Sequence, residues 1–174
     1  MGTLERSVHS GWAPVEPRVH VLHPGDVALG FQGDRLETLL GSCVAVLLTD
    51  PRRTVAAMCH IVHAHSPGGV KSRDAAFAEP AMRELFARLY SVGISPHLCE
   101  AHVFGGGDMF PDQSGGLDVG SRNLDWVEDF LDRQHIPIRS QVTGGHFYRK
   151  VAWTVGPEAP LQSVRSVAIN SELH

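Results

Sequence analysis

Leu36-Glu37-Thr38-Leu39-Leu40-Gly41-Ser42-Cys43-Val44-Ala45-Val46-Leu47-Leu48 reads as two short apolar runs parted by a Gly-Ser-Cys break. Runs this short, bounded by turn residues, fit strands better than helices. Outward from the second run, Asp50-Pro51 closes it as a turn, and Thr54 to His63 is another strand-like stretch. Upstream, Val19 and Val21, then Val27, Leu29 and Phe31, mark two short strands around the turn His23-Pro24-Gly25-Asp26. Downstream, Ser66-Pro67-Gly68-Gly69 is a loop.

Two stretches carry helical spacing. In Ala75 to Val92 the residues Phe77, Ala81, Met82, Leu85, Phe86 and Leu89 recur at steps of three or four. Pro80 belongs in the first turn of a helix, so the firm helix is expected to start near Glu79 and to stop at Gly93. Ser121 is the expected N-cap of a second helix with Leu124, Val127, Phe130 and Leu131 on its apolar stripe. Leu98 to Phe104 is strand-like and ends in Gly105-Gly106-Gly107, and Ile136 to Val142, Phe147 to Val155 and Val164 to Ile169 read as C-terminal strands. Strands outnumber helices and come in neighbouring pairs, which favours α+β over regular βαβ winding. Residues 1–17 read as a flexible leader and 18–174 as a single domain.

The chain has 174 residues, 43 % of them hydrophobic and 20 % charged, enough for an ordinary core. A formal net charge of -4 gives no support for nucleic-acid binding or a polybasic membrane anchor. Apolar runs stay below the roughly 18 residues needed to span a bilayer, and the N-terminal stretch lacks a signal-peptide core, so a cytoplasmic protein is expected. Three cysteines, Cys43, Cys59 and Cys99, argue against a disulfide framework, and no CxxC pair exists for a four-cysteine zinc site.

A Gly-Ser pair directly before Cys43 suggests a tight turn that presents the thiol, with nearby backbone N–H groups available to an oxyanion. The plainer alternative is a buried strand cysteine. His60 sits in the apolar run Val55 to Val62, either as a core histidine or as a base for a thiol. Adjacent strand residues face opposite ways, so Cys59 and His60 should not meet, and Cys43 is the better nucleophile. Thr38 is placed to orient the imidazole. On the other face, His63-x-His65 has a spacing that suits a metal but lacks further ligands, and a strand end entering a solvated loop is the better reading. Gly105-Gly106-Gly107-Asp108 lacks the Lys-Ser/Thr of a P-loop and reads as a turn, as does Gly144-Gly145-His146.

The order Thr38 to Val46, Asp50-Pro51, His60 in an apolar strand, Val103-Phe104-Gly105-Gly106, Met109-Phe110, Val119-Gly120-Ser121-Arg122-Asn123 and Thr143-Gly144-Gly145 closely resembles the chemoreceptor glutamine deamidases called CheD. The resemblance runs from about Val19 to Val155 and beyond. It implies a layered α/β/β sandwich, two stacked mixed sheets with helices packed on one side. It implies a cysteine hydrolase in which Cys43 matches the nucleophile, His60 the general base and Thr38 the residue that orients it. No cofactor or metal is implied. The implied substrates are glutamine side chains of methyl-accepting chemotaxis receptors, and the implied further partner is a CheC-type phosphatase. Met58-Cys59-His60-Ile61-Val62-His63-Ala64-His65 and Phe147-Tyr148-Arg149-Lys150 depart from the family pattern, and the stretch before Val19 has no counterpart. Two other functions compete with the deamidase: a non-catalytic module that binds receptors or a phosphatase, and a metal binder using His63 and His65.

Overall fold

The computed structural model describes residues 15–111 and 118–157, and the backbone of 163–168. Most of the expected leader, residues 1–14, lies outside the described residues, as does Ile169. The strands are β1 (Val19–Leu22), β2 (Val27–Phe31), β3 (Arg35–Leu40), β4 (Val44–Thr49), β5 (Val55–Ile61), β6 (Glu100–Gly105), β7 (Ile138–Thr143), β8 (Phe147–Thr154) and β9 (Ser163–Ala168). The helices α1 (Ala78–Ser91) and α2 (Val119–Arg133) flank β6 in the chain.

The strands form two mixed sheets, a five-stranded one in the order β2-β5-β4-β6-β7 and a four-stranded one in the order β1-β3-β8-β9. In the larger sheet only β6 and β7 run parallel, and in the smaller only β1 and β3. This is the α+β architecture expected, with the larger sheet in the middle. One of its faces packs Val44, Val46, Leu48, Ala57 and Cys59 against Ala81, Leu85 and Leu89 of α1 and Val127 and Leu131 of α2. Its other face packs Ala45, Leu47, Met58 and Phe104 against Leu36, Leu40, Val151 and Trp153 of the smaller sheet. A strand covered on both faces has no solvent side, which is why Val44 to Leu48 is apolar without alternation.

The two strands around the turn after Leu22 are present but lie in different sheets: β1 belongs to the smaller sheet and β2 to the larger. Gly25, at φ +85°, lets the chain cross between them, and Asp26 closes the turn by accepting from the His23 N–H. The N-cap of α2 is Asp118 rather than Ser121. Its carboxylate accepts from the Ser121 N–H at 2.8 Å and from the Ser121 hydroxyl at 2.9 Å. A charged acceptor satisfies an orphan amide and suits the positive end of the helix dipole, so it takes the cap from the serine. In α1, Pro80 stands third in the helix, where no intrahelical N–H is needed. Among the described residues no helix is long and apolar enough to cross a membrane.

Candidate active site

The third crossing between sheets is Gly41-Ser42-Cys43, which links β3 of the smaller sheet to β4 of the larger. It lies beside the first, because both crossings border His60. The His60 carbonyl accepts from the Gly25 N–H at 2.9 Å, and the His60 N–H donates to the Asp26 carbonyl at 3.1 Å. Alternation along β5 sends Met58 and His60 into the layer between the sheets and Cys59 towards the helices. The separation of Cys59 from His60 expected from strand period therefore holds.

His60 is 2 % exposed and Thr38, from β3, is 3 % exposed. Thr38 Oγ1 and His60 Nδ1 are 2.8 Å apart, and the Thr38 hydroxyl donates to the Leu22 carbonyl at 2.9 Å. A hydroxyl has one proton to give. Since the Leu22 carbonyl takes it, Thr38 must accept from His60, and Nδ1 carries the imidazole proton. Nε2 is then left with a lone pair. It is buried and has no hydrogen-bond partner among the described residues. Burial pulls the His60 pKa below its ordinary value, opposed in part by the nearby Asp26 carboxylate. The resting imidazole is thus neutral, oriented and basic at Nε2.

Cys43 is half-buried and packs against the inter-sheet layer that holds Met58. Ala45, two residues along, pairs directly with His60, so Cys43 enters β4 at the end of the sheet where His60 sits. Burial pushes the Cys43 thiol up, and its own backbone N–H, directed at the sulfur, draws it partly back. A lowering by a neighbouring imidazolium, the usual route to a reactive thiol, is not what this environment produces. Desolvation wins, and both the Cys43 thiol and the His60 imidazole are held towards their neutral forms. Cys59 and Cys99 are more deeply buried, with their thiols pushed up to about 12.

The Gly105-Gly106-Gly107 run is a turn, and its partner is the cysteine loop. The Gly106 N–H donates to the Cys43 carbonyl at 2.8 Å and the Gly107 N–H to the Gly41 carbonyl at 2.9 Å. A Cβ on Gly105 would stand 2.2 Å from the Cys43 carbonyl oxygen. A Cβ on Gly120 would stand 2.5 Å from the Gly107 oxygen, so α2 lies backbone to backbone on the same run. That approach brings the fully buried Asn123 to the Ser42 and Val62 carbonyls. Sequence reasoning did not single out Asn123 for a role, because its partner Ser42 lies 81 residues away. A pocket of about 190 Å³ opens beside Ser42, with Met109, Val119 and Gly120 in its walls.

His63 and His65 lie beyond the end of β5, so strand alternation no longer relates them. Both are exposed. His63 stacks on Phe77, ring centroids 6.3 Å apart, and its carbonyl accepts from the Ala78 N–H at the start of α1. Among the described residues no three histidine, cysteine or acidic side chains gather where they could hold a metal ion.

Residues 63–157, more than half of the chain, match the family model described as CheD chemotactic sensory transduction. A protein of Methanococcus vannielii named a probable chemoreceptor glutamine deamidase CheD is 34 % identical over 127 residues, 73 % of this chain and 82 % of its own. The chain belongs to the CheD family. A CheD of Pseudomonas fluorescens, named in the same words, is 33 % identical over 79 % of this chain and 80 % of its own. One of Rhodospirillum rubrum is 36 % identical over 71 % of this chain and 69 % of its own. The CheD model match contains the glycine run, Asn123 and both helices. Thr38, Cys43 and His60 precede it.

Proposed function

We propose that the chain is a cysteine-dependent protein-glutamine deamidase acting on glutamine side chains of methyl-accepting chemotaxis receptors. The observation that supports this most is the chain Leu22 carbonyl–Thr38 hydroxyl–His60 Nδ1, which leaves a bare Nε2 next to the entry of Cys43 into β4. As the sulfur of Cys43 adds to the amide carbon, His60 Nε2 takes the thiol proton. The Cys43 N–H donates to the oxyanion, and a donor of this kind is worth about 3–4 kcal/mol in the transition state. The imidazolium returns the proton to the departing nitrogen, which leaves as ammonia. His60 then draws a proton from water, hydroxide attacks the thioester, and glutamate leaves as the sulfur recovers its proton. Thr38 keeps accepting from Nδ1 throughout, so the ring holds its orientation whether neutral or charged.

The family resemblance also supports a cytoplasmic location, where the receptor's signalling helices lie, residues 18–174 as one deamidase domain, and a CheC-type phosphatase as binding partner. Iodoacetamide titration followed by peptide mapping tests the catalytic reading. Cys43 should be modified well before Cys59 and Cys99, and ammonia release from a receptor cytoplasmic fragment should fall in step with that modification. Full activity with Cys43 carboxamidomethylated would refute it, and a Cys43 no more reactive than the two core thiols would favour a binding module.

A further inference from the structure

Asn123 is fully buried in the second turn of α2. Its Nδ2 donates to the Val62 carbonyl at 2.9 Å and to the Ser42 carbonyl at 3.2 Å, while its Oδ1 has no partner among the described residues. Both partners are acceptors only, so the amide must present nitrogen to them; turned over, it would set oxygen against two oxygens. One side chain therefore ties the turn before the nucleophile to the chain two residues beyond His60.

The tie to Ser42 has a consequence at the next atom. The Ser42–Cys43 peptide is planar and trans, so its carbonyl and its N–H point in opposite directions. Holding the Ser42 carbonyl against α2 turns the Cys43 N–H the other way, to the side of its own sulfur. No backbone carbonyl among the described residues takes that N–H. On the far side of the residue, the Cys43 carbonyl is held by the Gly106 N–H. The peptide groups on either side of the sulfur are thus fixed from opposite directions, by α2 and by the glycine run. A rotation of the first would replace a donor at the oxyanion position with a carbonyl oxygen.

We propose that Asn123 is a positioning residue of the hydrolysis, locking the Ser42–Cys43 peptide so that the Cys43 N–H meets the oxyanion formed on sulfur addition. This rests on the deamidase reading above. Asn123 touches neither substrate nor sulfur; it acts through the peptide it holds.

Two rates on the same protein separate positioning from general packing. Deamidation of a receptor cytoplasmic fragment passes through an oxyanion. Carboxamidomethylation of Cys43 by iodoacetamide is displacement at a saturated carbon and needs none. Asn123→Leu removes both donors at similar volume, and Asn123→Ala, which adds neither bulk nor charge, keeps the protein testable if the first variant does not fold. The expected result is a kcat for ammonia release lower by about 100-fold or more, the usual effect of losing one oxyanion donor. KM and the alkylation rate of Cys43 should both stay near wild type. An unchanged kcat overturns the inference, and so does an alkylation rate that falls in parallel with kcat, which would show a disordered loop. A wild-type protein that alkylates at Cys43 but releases no ammonia overturns the deamidase reading itself, and the role of Asn123 falls with it.

Discussion

At His60 the side-chain chemistry is decided by one proton on Thr38. Because that hydroxyl gives its hydrogen to Leu22, the imidazole must donate from Nδ1 and keep Nε2 open. This much is independent of pH while the ring is neutral, and burial keeps it neutral to lower pH than in water. The pH dependence of the proposed deamidation follows. The base is lost only when Nε2 is protonated in the free enzyme, so kcat/KM should fall on the acid side with a midpoint below the ordinary imidazole value of 6.5. At the alkaline end the raised Cys43 thiol keeps its proton beyond the usual 9.0, so the plateau should be broad. A rate profile on a receptor fragment checks both limbs, and an acid midpoint above 6.5 would contradict the buried, neutral base.

The Gly41-Ser42-Cys43 loop owes its shape to elements packed on it more than to its own three residues. Gly105, at φ +99°, lies under the Cys43 carbonyl, and a Cβ there meets that oxygen at 2.2 Å. Gly144, in the β7–β8 turn, also has positive φ at +73°, but a Cβ there meets nothing within 4 Å. The two alanine variants share a left-handed backbone penalty of about 1–2 kcal/mol. Only Gly105→Ala adds a steric conflict, and it lands on the loop carrying Cys43. Gly144→Ala should therefore unfold somewhat earlier yet keep its kcat. Gly105→Ala should lose more stability and most of its activity. Thermal melts and ammonia release on both proteins check this, and equal kcat values would show that the glycine run does not shape the site. Local sequence did reveal the strands, the glycine turns and the opposite facing of Cys59 and His60, because strand period and turn chemistry act over a few residues. It misassigned the α2 cap to Ser121, since serine and aspartate are both good caps and only the folded turn shows which one accepts. It placed the turn after Leu22 but not its destination, because a turn residue does not specify which sheet the next strand joins.

Across the whole molecule, the candidate site sits beside two of the four passages of the described chain from one sheet to the other, β1 to β2 and β3 to β4, and no local pattern encodes that convergence. Leu22, Thr38, Cys43, His60 and Asn123 come from five parts of the chain, and only three of them were legible as candidates in advance. Thr38, Cys43 and His60 carry recognisable side-chain chemistry in a family-like order, whereas Leu22 contributes a carbonyl and Asn123 acts over 81 residues. Burying histidines in the inter-sheet layer also affects global stability. His60 and His102, both nearly inaccessible, are depressed by burial, with Glu100 opposing the shift at His102. In the unfolded chain they take up protons near the ordinary 6.5, before the folded protein does. Stability is therefore full above that pH and is lost as pH falls from 6.5 towards the folded-state values. The melting temperature should decline through this window, and replacing His102 by Gln should flatten the decline. A melting temperature that stays level to well below pH 6 would contradict this reading.

The proposed role of Cys43 is tested most directly by mass spectrometry of a receptor cytoplasmic fragment incubated with the wild-type protein or with Cys43→Ala. Wild type should convert specific glutamines to glutamates and Cys43→Ala, equally folded, should convert none. Conversion of the same glutamines at the wild-type rate by Cys43→Ala would contradict a cysteine-dependent deamidase.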